Sequence, residues 1–171
     1  VYAESKKKSE TQLLSLCDRV SMRINIVRPA LVYGPGVKGN IQLMRNGIVA
    51  GWFPALPAVG NKKSLIHVDD LSRILAILAS SDLNRSVIIA SEQKPYSARS
   101  IYIAMCVAED ISPRKVFVPG VVVSFLQQYG GPMRRGLNKI FGNSFYPSNT
   151  SETLDYDCVL GLKDLNHSVY D

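Results

Sequence analysis

Ile24-Asn-Ile-Val-Arg-Pro-Ala-Leu-Val-Tyr-Gly-Pro-Gly36 is the stretch that decides the fold of this chain. Its opening β-branched run suits a strand buried in a parallel sheet and predicts a strand over residues 23–28. A proline-punctuated loop through Gly39 follows, in which Gly34-Pro-Gly36 reads as a turn: Pro presets φ and Gly accepts φ > 0. Outward from this strand, helical and extended patterns alternate. Residues 2–21 predict a long helix with Leu13, Leu14, Cys17 and Val20 on one side. A short helix is expected near 40–50, then a turn-rich connection around Pro54 and Pro57. Leu65 to Val68 predicts a short strand, and Asp69 or Asp70 is the expected cap of a helix whose apolar face is Leu71, Ile74, Leu75 and Leu78. Ser86 to Ala90 reads as a strand and Ser97 to about Ala108 as a helix. A short extended segment at 115–118 and helical segments near 120–128, 132–141 and 151–159 complete the reading. The fold class is α/β.

Tyr2-x-x-x-Lys6 places a phenol and an ammonium four residues apart, on one face of the first helix. A phenol with an ordinary pKa near ~10 is a poor acid–base at neutral pH. A cation held beside it favours the phenolate and moves the group toward the working range. The pair suits removal of a proton from an alcohol while a cofactor takes the hydride. The same spacing also occurs on ordinary solvated helix faces, so it needs support from elsewhere in the chain.

Composition narrows the classes. At 171 residues and 46% hydrophobic, the chain is large enough for one domain with a sizeable core. Cys17, Cys106 and Cys158 show no metal spacing and read as buried thiols in a reducing compartment. The apolar run from Val116 to Leu126 is broken by Pro119 and Gly120 and is too short to span a bilayer. The net charge of +6 would suit a polyanionic partner, but its compact clusters, Lys6-Lys7-Lys8 and Arg134-Arg135, carry no nucleic-acid motif. A solvated surface with a few lysines for a diphosphate explains it with less.

Taken in order, Tyr2-Ala-Glu-Ser-Lys6, the strand leading into Arg28-Pro-Ala-Leu-Val-Tyr-Gly-Pro-Gly36, Gly39-Asn40 and Lys63-Ser-Leu-Ile-His-Val-Asp-Asp70 form a series. It resembles the NAD-dependent epimerase/dehydratase family, the extended short-chain dehydrogenase/reductases acting on nucleotide sugars. The matching motifs cover roughly residues 1–80. The resemblance implies the C-terminal part of a Rossmann-like doubly wound sheet plus a small mixed α/β substrate domain. Residues 1–50 would be the remainder of the NAD(P)-binding domain and 51–171 the substrate-binding lobe, the two interleaved. No G-x-G-x-x-G or G-x-x-G-x-x-G is read as following a strand, and Val1 reads as the interior of a protein, so the chain is expected to be the C-terminal half of a longer enzyme.

The resemblance also implies roles. Tyr2 corresponds to the family's proton-transfer residue and Lys6 to the lysine that binds the nicotinamide ribose and tunes it. The backbone of Pro29, Ala30 and Leu31 would face the nicotinamide of NAD or NADP. UDP-galactose 4-epimerases carry an Asn at the Leu31 position, so the departure here speaks against that substrate. Asn40 matches an Asn beside the substrate diphosphate, although Asn also caps helices well. Lys63 stands where many relatives place an Arg on the diphosphate, supplying a point charge without the bidentate fork. His67 reads as a satisfied core histidine. The implied activity is that of an epimerase, dehydratase or 4-keto reductase acting on a UDP-linked sugar. RPALVYGPGVKGN and NKKSL look closest to enzymes of bacterial surface-polysaccharide sugars, such as UDP-4-keto-hexosamine reductases. No metal is called for; a cytoplasmic homodimer is expected, with self-association through the 2–21 helix or the 23–28 strand, and the fragment alone is expected to be inactive. The alternative from another class is a non-catalytic substrate-binding or interaction module.

Overall fold

The computed structural model describes residues 2–114 except 18, 20 and 93, together with residues 121, 122, 125, 128 and 140–146. Its elements are α1 (Tyr2–Leu16), β1 (Ile26–Pro29), β2 (Leu31–Tyr33), α2 (Asn40–Val49), β3 (Leu65–His67), α3 (Val68–Ser80), β4 (Val87–Ala90) and α4 (Ala98–Ala108). The α/β class expected from the sequence is the class observed, and its strand pairs are parallel. Residues 121, 122, 125 and 128 are helical, as are 140 and 141, while the segments expected at 115–118 and 151–159 lie outside the described residues.

One difference from the expectation organises the molecule. Residues 31–33 form a strand where a loop was expected, and it has a different partner from β1. β1 pairs with β4, in register from Ile26 opposite Val87 to Pro29 opposite Ala90. β2 pairs with β3, Leu31 opposite Leu65. The exchange takes one residue: the Ala30 amide donates to the Ala90 carbonyl at 2.8 Å, and the next amide, Leu31, donates to the Ser64 carbonyl at 3.3 Å. Consecutive amides of an extended chain point to opposite edges, so neighbouring residues can serve two partners. Ile26 and Ala30 both donate toward the β4 side, which puts Pro29 out of phase with that ladder and makes its missing N–H harmless there.

Two apolar clusters flank this crossing. One joins the sheets to α3 through Ile66, Ile74, Leu78, Ile88 and Ala90. The expected α3 stripe is correct at Ile74 and Leu78 and wrong at Leu75, which is 49% exposed. The other gathers Tyr33, Ile41, Ile48, Leu56, Ile101 and Met105 between α2 and α4. Ser97 caps α4 as expected, accepting from the Ser100 amide while the Ser100 hydroxyl accepts from the Ser97 amide. The cap of α3 is a correction. His67, not an aspartate, is the N-cap, its Nδ1 accepting from the Asp69 amide at 3.2 Å. Asp70 falls in the first turn, 2% exposed, and pairs with Arg73 at 3.0 Å. Cys17 lies half-buried in the turn after α1, which ends at Leu16 rather than 21, and Cys106 is buried in α4.

Gly34 is the tightest point of the turn after β2. Its φ is +122°, and a Cβ there would stand 2.8 Å from Val68 Cγ1 and 2.9 Å from His67 Nε2. Gly36, at φ +68°, faces open space. Gly34→Ala is therefore expected to lower unfolding stability in urea by about 2–4 kcal/mol, combining backbone strain with a core clash. Gly36→Ala should cost only about 1 kcal/mol, the backbone penalty alone. Equal losses for the two would show that the close approach of Gly34 to His67 contributes nothing.

Candidate functional site

Lys63 sits just ahead of β3, and the backbone fixes it on both sides. Its amide donates to the Tyr96 carbonyl at 2.8 Å and its carbonyl accepts from the Tyr96 amide at 2.9 Å. The flanking residues engage Ser144: the Ser64 amide donates to the Ser144 carbonyl, and the Ser144 amide to the Lys62 carbonyl, both at 2.9 Å. Asn61, buried, accepts from the Ala98 amide at 3.1 Å through Oδ1, which ties the approach to this strand to the start of α4. Held in this way, Lys63 is only 8% exposed, and burial pushes its ammonium pKa below the ordinary lysine range.

A cavity of about 440 Å³ opens beside it. Leu31, Asn40 and Lys63 line it together, with Ile41, Leu43, Met44, Phe53, Leu56, Ala98, Ile101, Ile140 and Ser144 supplying a mainly apolar wall. Three residues singled out from separate sequence motifs thus meet in one cavity. Leu31 arrives there because β2 continues past the Ala30 crossing; Asn40 because α2 begins at it. The cap of α2 is Gly39, at φ 80°, so Asn40 is the first helical residue and the capping role considered for it is not its own. Its position places the first amides of α2 at the cavity, where a helix N-terminus favours negative charge.

The other expected site residues lie elsewhere. Lys6 is exposed on α1, one turn before Glu10 and on the same face, with the Tyr2 position one turn further back. Glu10 grips Arg28 with both oxygens, at 3.0 Å to Nε and 2.5 Å to Nη2. This pair ties that face of α1 to the end of β1, beside the exposed Pro29 and the buried Ala30, and it holds the Glu10 carboxyl below its usual range. Lys6, Pro29 and Ala30 are outside the described lining of the cavity. Among the described residues no group of three His, Cys, Asp or Glu could hold a metal, and no helix is long and apolar enough to cross a membrane.

The glycine reading needs correcting. Gly34-Pro-Gly-Val-Lys-Gly39 has G-x-G-x-x-G spacing, and it follows strand β2 and precedes α2. The expectation that no such run follows a strand failed because a strand as short as 31–33, just past a proline, has no readable period. The run is nevertheless unlike a dinucleotide turn: its third glycine caps the helix instead of lying within it, and its first is spent on the approach to His67 and Val68.

Sequence reasoning missed a buried cluster behind Lys63. Glu92, 3% exposed, accepts from the Tyr33 phenol at 2.6 Å on Oε1 and from the Tyr96 phenol at 2.5 Å on Oε2. Burial raises the Glu92 pKa, with the two phenols opposing it, and burial also raises that of Tyr33. No local pattern marks a glutamate between a strand and a helix as buried.

No family model matches the chain. A UDP-glucose 4-epimerase from Vibrio cholerae is 39% identical over 74 residues, 41% of this chain and 22% of that protein. The Bordetella bronchiseptica enzyme WbmF, solved with NAD⁺ and UDP, superposes over 98% of this chain and 50% of its own, with TM-score 0.71 and 15% identity. The chain is similar to the NAD-dependent epimerase/dehydratase family. Thermotoga maritima UDP-glucose 4-epimerase, solved with UDP-glucose, superposes over 98% of this chain and 51% of its own at TM-score 0.67 and 15% identity. These structural likenesses show the family's fold, and this chain spans about half the length of those two enzymes.

The raised pKa of Glu92 has a testable sign. Its folded value lies above the unfolded one, near ~4.3 for Glu, so the folded state binds the proton more tightly. That contribution is full below the unfolded pKa and is lost as pH rises through the folded pKa. Across that window the urea midpoint of the parent should fall relative to that of Glu92→Gln, whose amide does not titrate. Parallel pH profiles for the two proteins would contradict the assignment.

Proposed function

We propose that this chain is the C-terminal portion of an NAD(P)-dependent nucleotide-sugar epimerase, dehydratase or 4-keto reductase. A nucleoside-diphosphate sugar, UDP-linked, occupies the cavity. The observation that carries this reading is that Leu31, Asn40 and Lys63 line one cavity. A diphosphate suits a largely buried ammonium, which interacts more strongly away from water, together with the amides of a helix N-terminus. The apolar wall suits the uncharged parts of the ligand.

In this reading the Tyr2 phenol carries the hydroxyl proton of the sugar, and the Lys6 ammonium lowers its pKa and holds a ribose. NAD(P), when bound, takes up and returns a hydride at the sugar carbon. The residues present fit its nicotinamide end: Lys6 is exposed on the α1 face that Glu10–Arg28 ties to β1, and Pro29, next to Arg28 in the strand, is exposed too. The reading extends to residues 1–50 as part of the cofactor domain and 51–171 as the substrate lobe. It also extends to surface-polysaccharide sugar synthesis in the cytoplasm. A homodimer through α1, where Leu13 and Leu16 are 45% and 41% exposed, belongs to it as well.

The lining of the cavity by described residues of this chain favours a second reading, a binding module without catalysis. Calorimetry with UDP and with NAD⁺ or NADP⁺ tests the shared part: UDP should bind the chain by itself, the dinucleotides should not, and Lys63→Ala should weaken UDP by roughly 1.5–3 kcal/mol. UDP bound as tightly by that variant would remove Lys63 from the site. A longer protein containing this chain separates the two readings. There Tyr2→Phe should lower turnover by about 10²–10⁴-fold with little change in substrate affinity, as for loss of a general acid–base. Near-normal turnover would end the catalytic reading.

A further inference from the structure

Glu92 reaches the cavity through a relay of contacts. Its carboxylate accepts the Tyr96 phenol, and the Tyr96 backbone exchanges two hydrogen bonds with the backbone of Lys63, at 2.8 and 2.9 Å. Its amide also donates to the Leu65 carbonyl at 2.7 Å, at the start of β3 and two residues beyond Lys63. Its other oxygen accepts the phenol of Tyr33, on the strand that brings Leu31 to the cavity. One buried carboxylate therefore contacts the segment that carries Lys63 to the cavity and the strand that carries the apolar Leu31 there. Burying a carboxylate is costly unless its oxygens are satisfied, so core stability alone does not ask for one here; an apolar side chain of similar volume would do as well. Directional bonds to two phenols fix position, which apolar packing does less well.

We propose that Glu92 is a positioning residue for the cavity, holding Lys63 at its wall through Tyr96. The proposal concerns where Lys63 sits; that a diphosphate binds there rests on the function proposed above. If Tyr96 loses its anchor, the Lys63 strand loosens from Tyr96, and the ammonium moves from its partly desolvated place toward water. Tyr33 is the internal control, because it uses the same carboxylate and is also buried, 1% exposed against 8% for Tyr96, while the bridges at Lys63 pair it with Tyr96 and Ser144 and not with Tyr33.

The test is to follow the Lys63 ammonium by NMR on this chain with ¹³C-labelled lysine, its signal assigned by Lys63→Arg, while pH is raised. In the parent, Lys63 should titrate below the surface lysines. Tyr96→Phe and Glu92→Gln, which keep shape, should move that titration up toward them and weaken UDP roughly 3- to 10-fold, the scale of one lost hydrogen bond. Tyr33→Phe should lower the thermal midpoint as much as Tyr96→Phe and leave both readouts as in the parent. An unmoved Lys63 titration in a folded Tyr96→Phe variant overturns the proposal. So does the same shift in Tyr33→Phe, which would mean general loosening of the core. If Lys63 shifts as expected but UDP binds no form of the chain, the positioning role stands and the diphosphate reading fails.

Discussion

At Ala30 the chain donates one amide to Ala90 and the next to Ser64, and the rest of the molecule depends on that exchange of partners. Had the strand kept to β4, Leu31 would remain in one ladder and β3 would have no neighbour. Because it crosses, β2 and β3 form a second parallel pair whose ends carry Leu31 and Lys63 to the same cavity. Pro29 and Ala30 suit the crossing for separate reasons. The proline lacks the one donor that the β4 ladder does not use there, and the alanine, 9% exposed, is small enough for the strand to change partners inside the core.

Behind this crossing the protein buries more polar chemistry than a core of its size requires. Glu92, His67, Asp70 and Lys63 are each under 9% exposed, yet no buried polar side-chain atom among the described residues lacks a partner. Satisfaction of this kind comes from geometry rather than from strength of pairing. His67 caps α3, Asp70 meets Arg73, and Glu92 takes two phenols. The result is a stiff support beneath an apolar cavity. α1 is different: the Glu10–Arg28 pair that ties it to β1 is of the partly exposed sort that contributes little to stability, and Leu13 and Leu16 are exposed.

Much of this was readable beforehand, and what was not has identifiable causes. β1, β3, β4, α3 and α4 follow from β-branched runs, helical periodicity and the Ser97 cap, because each of these signals lies within the segment it marks. β2 escaped because a three-residue strand has no period, and the glycine run after it was misjudged for the same reason. The α3 cap went to His67 because a strand-end histidine in an extended conformation reaches the Asp69 amide. Lys63 and Asn40 were reached by family resemblance, not by pattern; that they share a cavity depends on Phe53, Leu56, Ile101 and Ile140, distant in sequence. Glu92 left no trace at all. One of the two phenols it accepts, that of Tyr33, is 59 residues away.

The most direct measurement is a crystal structure of this chain grown with UDP. The account predicts both phosphates in the cavity, with an oxygen within hydrogen-bond reach of Lys63 Nζ and another at the first amides of α2 beside Asn40. UDP bound outside the cavity, or within it with its phosphates turned away from Lys63, would contradict the assignment of this wall as a diphosphate site.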